Sequence, residues 1–182
     1  ASSEVAAARV AEGFSAVKFD PAGQYTVYDG RMPDLEAITQ SVAFCREIRA
    51  AVGDRADMLF GTHGQFTAAG ALRLARQLEP FDPLWFEEPC PPDMPEEMAK
   101  VAAGTSIPVA TGERLCSKFE FARVLDLGAA AILQPDLGRA GGILEGKKIA
   151  AMAETRYVPV APHLYCGCLL YTSPSPRDQE AS

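Results

Sequence analysis

The sequence predicts an α/β fold, a partial TIM-type (β/α) barrel with about six of its eight strands, on three observations. Amphipathic helical stretches alternate with short β-rich runs along the chain, the pattern of a parallel sheet covered by helices. Four polar residues, Glu87, Glu113, Asp136 and His163, each stand where an apolar run stops, at spacings of 26, 23 and 27 residues. Those spacings approach the roughly 30 residues per strand–helix unit of a barrel of about 250 residues. The runs themselves are β-branched, aromatic and short, as expected of strands buried on both faces.

In chain order, residues 2–13 read as a helix and Ala16–Asp20 as the first strand. The segment 21–33, with Gly23, Tyr25, Tyr28 and Gly30, is longer than most connections and is expected to face substrate. Leu35, Ile38, Val42, Cys45, Ile48 and Val52 step by three or four, which places them on one helix face, and Gly53 ends that helix. Met58–Phe60 is the next strand, followed by Gly61-Thr62-His63-Gly64 and a helix over 67–79. Leu84–Glu87 is a strand, and Pro89, Pro91 and Pro92 break the chain before a helix starting near Asp93. Strand 107–110, helix 117–127, strand 130–133, helix 141–154 and strand 157–161 complete six strands and six helices. A closed barrel needs two more strands, so residues 1–167 read as a piece of one, with open sheet edges. From Cys168 to Asp178 there is no periodicity, and this stretch back-translates without a mismatch into a transposase adaptor used to prepare DNA libraries. Residues 168–182 are therefore read as a non-native tail, an adaptor read-through.

The composition, 48% hydrophobic and 23% charged over 182 residues, is that of a globular protein with one substantial core. A net charge of −7 and a pI near 4.9 argue against nucleic acid or an anionic membrane as partner, since neither face nor tail supplies the basic patch required. An acidic small molecule stays possible, because a bound cation inverts the local field. No apolar run approaches the roughly 20 residues of a membrane helix and no basic-then-apolar leader is seen, so the expected location is cytoplasmic. Cys45, Cys90, Cys116, Cys166 and Cys168 are odd in number and lack a secreted spacing, which points to free thiols. Cys166 and Cys168 have no second pair to complete a zinc site.

At the proposed strand ends, Glu87 and Glu113 would converge over the barrel mouth, where two carboxylates call for a cation. Magnesium, ligated by oxygens and completed by water and substrate, fits that donor set. The competing role for a glutamate here is a helix cap or a partner for Arg114, and Glu88, on the alternate face, is assigned to it. Asp136 and His163 lie on consecutive strands, so a carboxylate can orient the imidazole and make His163 a general base. The alternative is a histidine that merely closes a strand. His63, the chain's other histidine, also ends a strand, either as a proton donor opposite His163 or as a hydrogen-bonded structural residue. Lys18 and Asp20 share one face of the first strand, and both can point to the mouth.

Trp85-Phe-Glu-Glu-Pro89, Ala110-Thr-Gly-Glu-Arg-Leu115, Gln134-Pro-Asp-Leu-Gly-Arg-Ala-Gly-Gly-Ile143 and Ala161-Pro-His163 together resemble the catalytic barrel of the enolase superfamily, in its mandelate racemase and muconate-lactonising branch. The resemblance runs from residue 1 to about Gly167. It implies a barrel whose α+β capping domain is missing from this chain, a Mg²⁺ ion held by three strand-end carboxylates, and proton abstraction beside a substrate carboxylate. By position, Glu87 and Glu113 would be metal ligands, and His163, held by Asp136, the base. His63 matches the histidine with which galactonate-dehydratase-like members protonate a leaving hydroxyl, and Asp20 stands where racemases often carry a second lysine. The resemblance thus favours dehydration of a sugar acid, in a parent expected to be a homo-oligomer. A racemase or cycloisomerase using Lys18 opposite His163 is the alternative.

One position departs from the family. Its first metal ligand is an aspartate two residues before the His63 position, where this chain has Gly61. Either Asp20 supplies the third carboxylate, or the ion is held by two glutamates and water, or the barrel is catalytically silent. The first is the expectation carried forward.

Overall fold

The computed structural model describes residues 2–22 and 30–165. Within them the elements run α1 (Ser2–Ala11), β1 (Ala16–Phe19), α2 (Leu35–Val52), β2 (Asp57–Gly61), α3 (Ala68–Leu78), β3 (Trp85–Glu87), α4 (Pro95–Gly104), β4 (Val109–Thr111), α5 (Lys118–Asp126), β5 (Ile132–Leu133) and α6 (Ile143–Glu154). The five strands pair parallel in the order β1-β2-β3-β4-β5, each joined to its neighbour through a helix. That is an α/β partial barrel, as the alternation predicted. Tyr25, Tyr28 and Gly23 of the long loop, and Cys166 to Ser182 including the expected tail, lie outside the described residues.

The expected sixth strand is present only as isolated parallel bridges, Leu133 with Val160 and Asp136 with His163. Its backbone does pair: Leu133 donates to the carbonyl of Pro159 at 3.0 Å, Ala161 to that of Leu133 at 2.9 Å, and His163 to that of Pro135 at 3.1 Å. Pro135, Pro159 and Pro162 have no N–H to offer, so the ladder cannot run on between these points. A similar cause shortens β1. Pro21 holds no donor, and Asp20 turns its Oδ1 to accept the N–H of Ala22 at 2.8 Å, so the strand stops at Phe19.

Local chemistry sets the helix ends. Asp34 accepts the N–H of Ala37 at 2.8 Å to start α2, and Gly53, at φ 57, ends it. The predicted stripe of α2 is buried at Ile38, Cys45, Ile48 and Val52, while Leu35 in the first turn stays exposed. Pro95 opens α4, the one helical position where a missing N–H costs nothing. The core lies between sheet and helices. Phe19, Phe60 and Phe86 stand in register on β1, β2 and β3, with Phe44 of α2 against Phe19 at a ring-centroid distance of 5.4 Å. Alternation then turns Lys18, Gly61 and Glu87 to the opposite, inner face.

Gly112, just past β4, has φ 138, and a Cβ there would stand 2.7 Å from the ring of Phe121 and 2.9 Å from the backbone nitrogen of Gln134. Neither the conformation nor the contact suits a larger residue. Gly112→Ala is expected to destabilise the fold by about 1–3 kcal/mol, read as a lowered urea midpoint.

Candidate active site

All five strands point the same way, so their carboxyl ends form one rim, and the residues that follow those ends share it. Glu87 ends β3 at 1% exposure, and both its oxygens are held. Lys18 Nζ donates to Oε1 at 2.5 Å, and Gln134 Nε2 to Oε2 at 2.7 Å. The sequence reading overlooked Gln134. It precedes Asp136 by two on the same run, which was the available signal.

Asp136 and His163 are brought together. The two residues share a backbone bridge, and His163 Nδ1 lies 2.9 Å from Asp136 Oδ2. Asp136 also accepts the N–H groups of Gly138 at 2.8 Å, Arg139 at 3.2 Å and Tyr165 at 3.3 Å. Burial pushes its carboxyl up, but these hydrogen bonds outweigh burial and hold it below its ordinary value. An ionised Asp136 fixes the imidazole tautomer: Nδ1 carries the hydrogen toward it, and Nε2 keeps the lone pair. Nε2 lies 3.4 Å from Glu113 Oε2, a buried oxygen with no hydrogen-bond partner. A proton captured on Nε2 therefore gains a carboxylate beside it. Tyr165, also missed by sequence reasoning, stacks on His163 at 6.4 Å.

Glu88 takes the partner role expected of it, accepting from Arg114 Nε at 2.8 Å. Burial pushes its carboxyl up to about 7, against the pull of Arg114. His63 follows β2 at φ 54, and β3, β4 and β5 lie between the two histidines along the rim.

Asp20 is engaged by a neighbouring loop. Its Oδ2 accepts from Gln65 Nε2 at 3.0 Å, and Gln65 in turn accepts from Arg31 at 2.7 Å. Burial raises its carboxyl, which weakens it as an ionised ligand. Among the described residues no group of three or more His, Cys, Asp or Glu side chains is placed to hold a metal ion. Of the expected set of Asp20, Glu87 and Glu113, Gln65 holds the first and Lys18 and Gln134 the second, while Glu113 Oε2 has no hydrogen-bond partner. Magnesium asks for an octahedron of oxygens, and Glu87 would have to give up Lys18 or Gln134 to join one. Cys45, Cys90 and Cys116 are free thiols, and burial pushes Cys45 and Cys90 up to about 12, so both are inert. No described helix is long and apolar enough to cross a membrane.

Parallel strands linked by helices, with acidic groups and a carboxylate-braced imidazole on the carboxyl-end rim, define a (β/α)-barrel domain whose chemistry sits at the strand ends. The chain belongs to the enolase superfamily: residues 1–174 match the family described as enolase C-terminal domain-like. A D-galactonate dehydratase from Ralstonia nicotianae is 47% identical over 138 residues, which is 76% of this chain and 36% of that protein. Another from Verminephrobacter eiseniae is 42% identical over 165 residues, 91% of this chain and 42% of that one. The crystal structure of a mandelate racemase/muconate lactonizing enzyme-like protein from a Roseovarius species superposes with a TM-score of 0.88 at 64% identity, covering 92% of this chain and 42% of that one. The chain spans less than half the length of each of these relatives.

Proposed function

We propose that the protein carrying this chain is a lyase that dehydrates a sugar acid, abstracting the proton α to the carboxylate and expelling a β-hydroxyl. The observation that carries this reading is the Asp136–His163 pair, which leaves Nε2 with a lone pair on the rim. The dehydratase relatives support it. Lys18 meets the substrate carboxylate. His163 Nε2 takes the α-proton, with the resulting imidazolium flanked by Asp136 and Glu113. His63, across the rim, gives a proton to the β-hydroxyl, which leaves as water, and the enol left behind becomes a 2-keto-3-deoxy acid. No step is routed through the magnesium ion implied by the resemblance, because both oxygens of Glu87 are already held by Lys18 and Gln134.

Racemisation through Lys18 is disfavoured by its engagement with Glu87, since an ion-paired ammonium donates hydrogen bonds and does not abstract protons. The intact polypeptide incubated with D-galactonate and related hexonates is expected to yield a 2-keto-3-deoxy acid. An epimer or a lactone would establish a racemase or cycloisomerase instead, and binding without product a silent barrel.

A further inference from the structure

We propose that Lys18 is the resident cation of this site, its ammonium taking the place beside Glu87 in which a divalent ion would have to bind. The proposal reaches beyond the dehydratase reading and does not depend on it.

Gly61 and Glu87 are register partners on β2 and β3, so a side chain at 61 would stand beside that carboxylate on the inner face. There is none, and Lys18 fills the space. An ideal Cβ on Gly61 would lie 2.8 Å from Lys18 Cε, 3.7 Å from Lys18 Nζ and 3.6 Å from Glu87 Oε1. Glycine and lysine are therefore complementary. A residue with a side chain at 61 would have to move the end of Lys18, and the lysine lies where it does because nothing stands at 61.

Charge points the same way. Glu87 is 1% exposed, and a buried carboxylate needs a cation or several donors to offset its lost hydration. Lys18 Nζ at 2.5 Å supplies the charge, and Gln134 satisfies the second oxygen. An added divalent ion on Oε1 would have to bind against the ammonium already there, and like charges at that separation repel strongly in a partly buried site. Losing a third carboxylate while keeping a lysine in its space shifts the local balance toward positive without any metal. Lys18 remains 43% exposed, so its remaining N–H groups stay open to a carboxylate arriving at the mouth. A negatively charged acid can then be held by a lysine ammonium where a three-carboxylate site would hold it by metal.

Mn²⁺, an EPR-visible stand-in for Mg²⁺, reads this directly in the intact polypeptide without substrate. The unsubstituted protein is expected to show no saturable site tighter than about 1 mM. Lys18→Met combined with Gly61→Asp is expected to gain one site, at least about 10-fold tighter, and a further Glu113→Gln to remove it. Lys18→Met alone, checked as folded by its CD spectrum, is expected to bind Mn²⁺ more tightly than the unsubstituted protein. One micromolar Mn²⁺ site in the unsubstituted protein would overturn the proposal, and so would unchanged affinity in folded Lys18→Met. The titration follows the ion alone, so its failure leaves proton abstraction by His163 standing, and loss of that abstraction leaves the titration unaffected.

Discussion

His163→Ala is expected to abolish exchange of the substrate α-proton with deuterated solvent, a loss of at least about 10²–10⁴-fold followed by NMR. The expectation follows from what surrounds the ring. Nδ1 is committed to Asp136, whose carboxyl is held below its ordinary value by four donors despite burial. The ring therefore presents Nε2 alone to a substrate, and the proton it gains is offset by carboxylates at 2.9 Å on one side and 3.4 Å on the other. Alanine removes the imidazole lone pair that this arrangement directs to the rim. Asp136→Asn should cost less and differently: the ring keeps a polar neighbour, but the amide can donate to Nδ1 and favour the tautomer whose lone pair faces away from the substrate. Asp136 is thus a positioning residue. A shifted pH profile for exchange in Asp136→Asn is expected from that role, and a merely structural one would lower the amount of folded protein without moving the profile. Undiminished exchange in His163→Ala would take the base role from His163.

Much of this rim was legible because packing gives no reason for a carboxylate or an imidazole to follow an apolar run. Glu87, Glu113, Asp136 and His163 violate that expectation at even spacing, and the structure sets all four on one rim. What the sequence hid depends on side chains from distant loops. Strand alternation turns Asp20 inward, but it carries no information that Gln65, 45 residues away, would bind it. Gly61 announced a missing ligand. That Lys18 would occupy the vacancy follows only from the register of β1 on β2 and β2 on β3, which a single sequence does not specify. The sixth run was read as a strand from its valines, yet Pro159 and Pro162 limit it to separate bridges. Pairing there is sparse but sufficient, since a single bridge places His163 beside Asp136.

The same register makes the hydrophobic side of the sheet a precondition for the rim, and Phe86→Ala is the substitution expected to show it. Phe86 lies at the centre of the middle strand, fully buried, paired in register with Phe60 and Val109, and its ring meets that of Phe60 edge-on at a centroid distance of 6.4 Å. Phe60 in turn meets Phe19 at 5.4 Å, so three neighbouring strands are tied by one row of rings. Removing the middle ring forfeits its burial and leaves a cavity that backbone on both sides prevents from collapsing, a cost of about 3–5 kcal/mol, read as a lowered urea midpoint. Against a typical stability of about 5–15 kcal/mol this is a large share. The next residue on that strand is Glu87, facing the other way. A cavity behind Phe86 therefore loosens the backbone that aims Glu87 at Lys18, and protein that stays folded at low temperature is expected to lose catalytic rate as well. A variant that kept full stability would show that the row of rings does not hold β2, β3 and the rim above them in register.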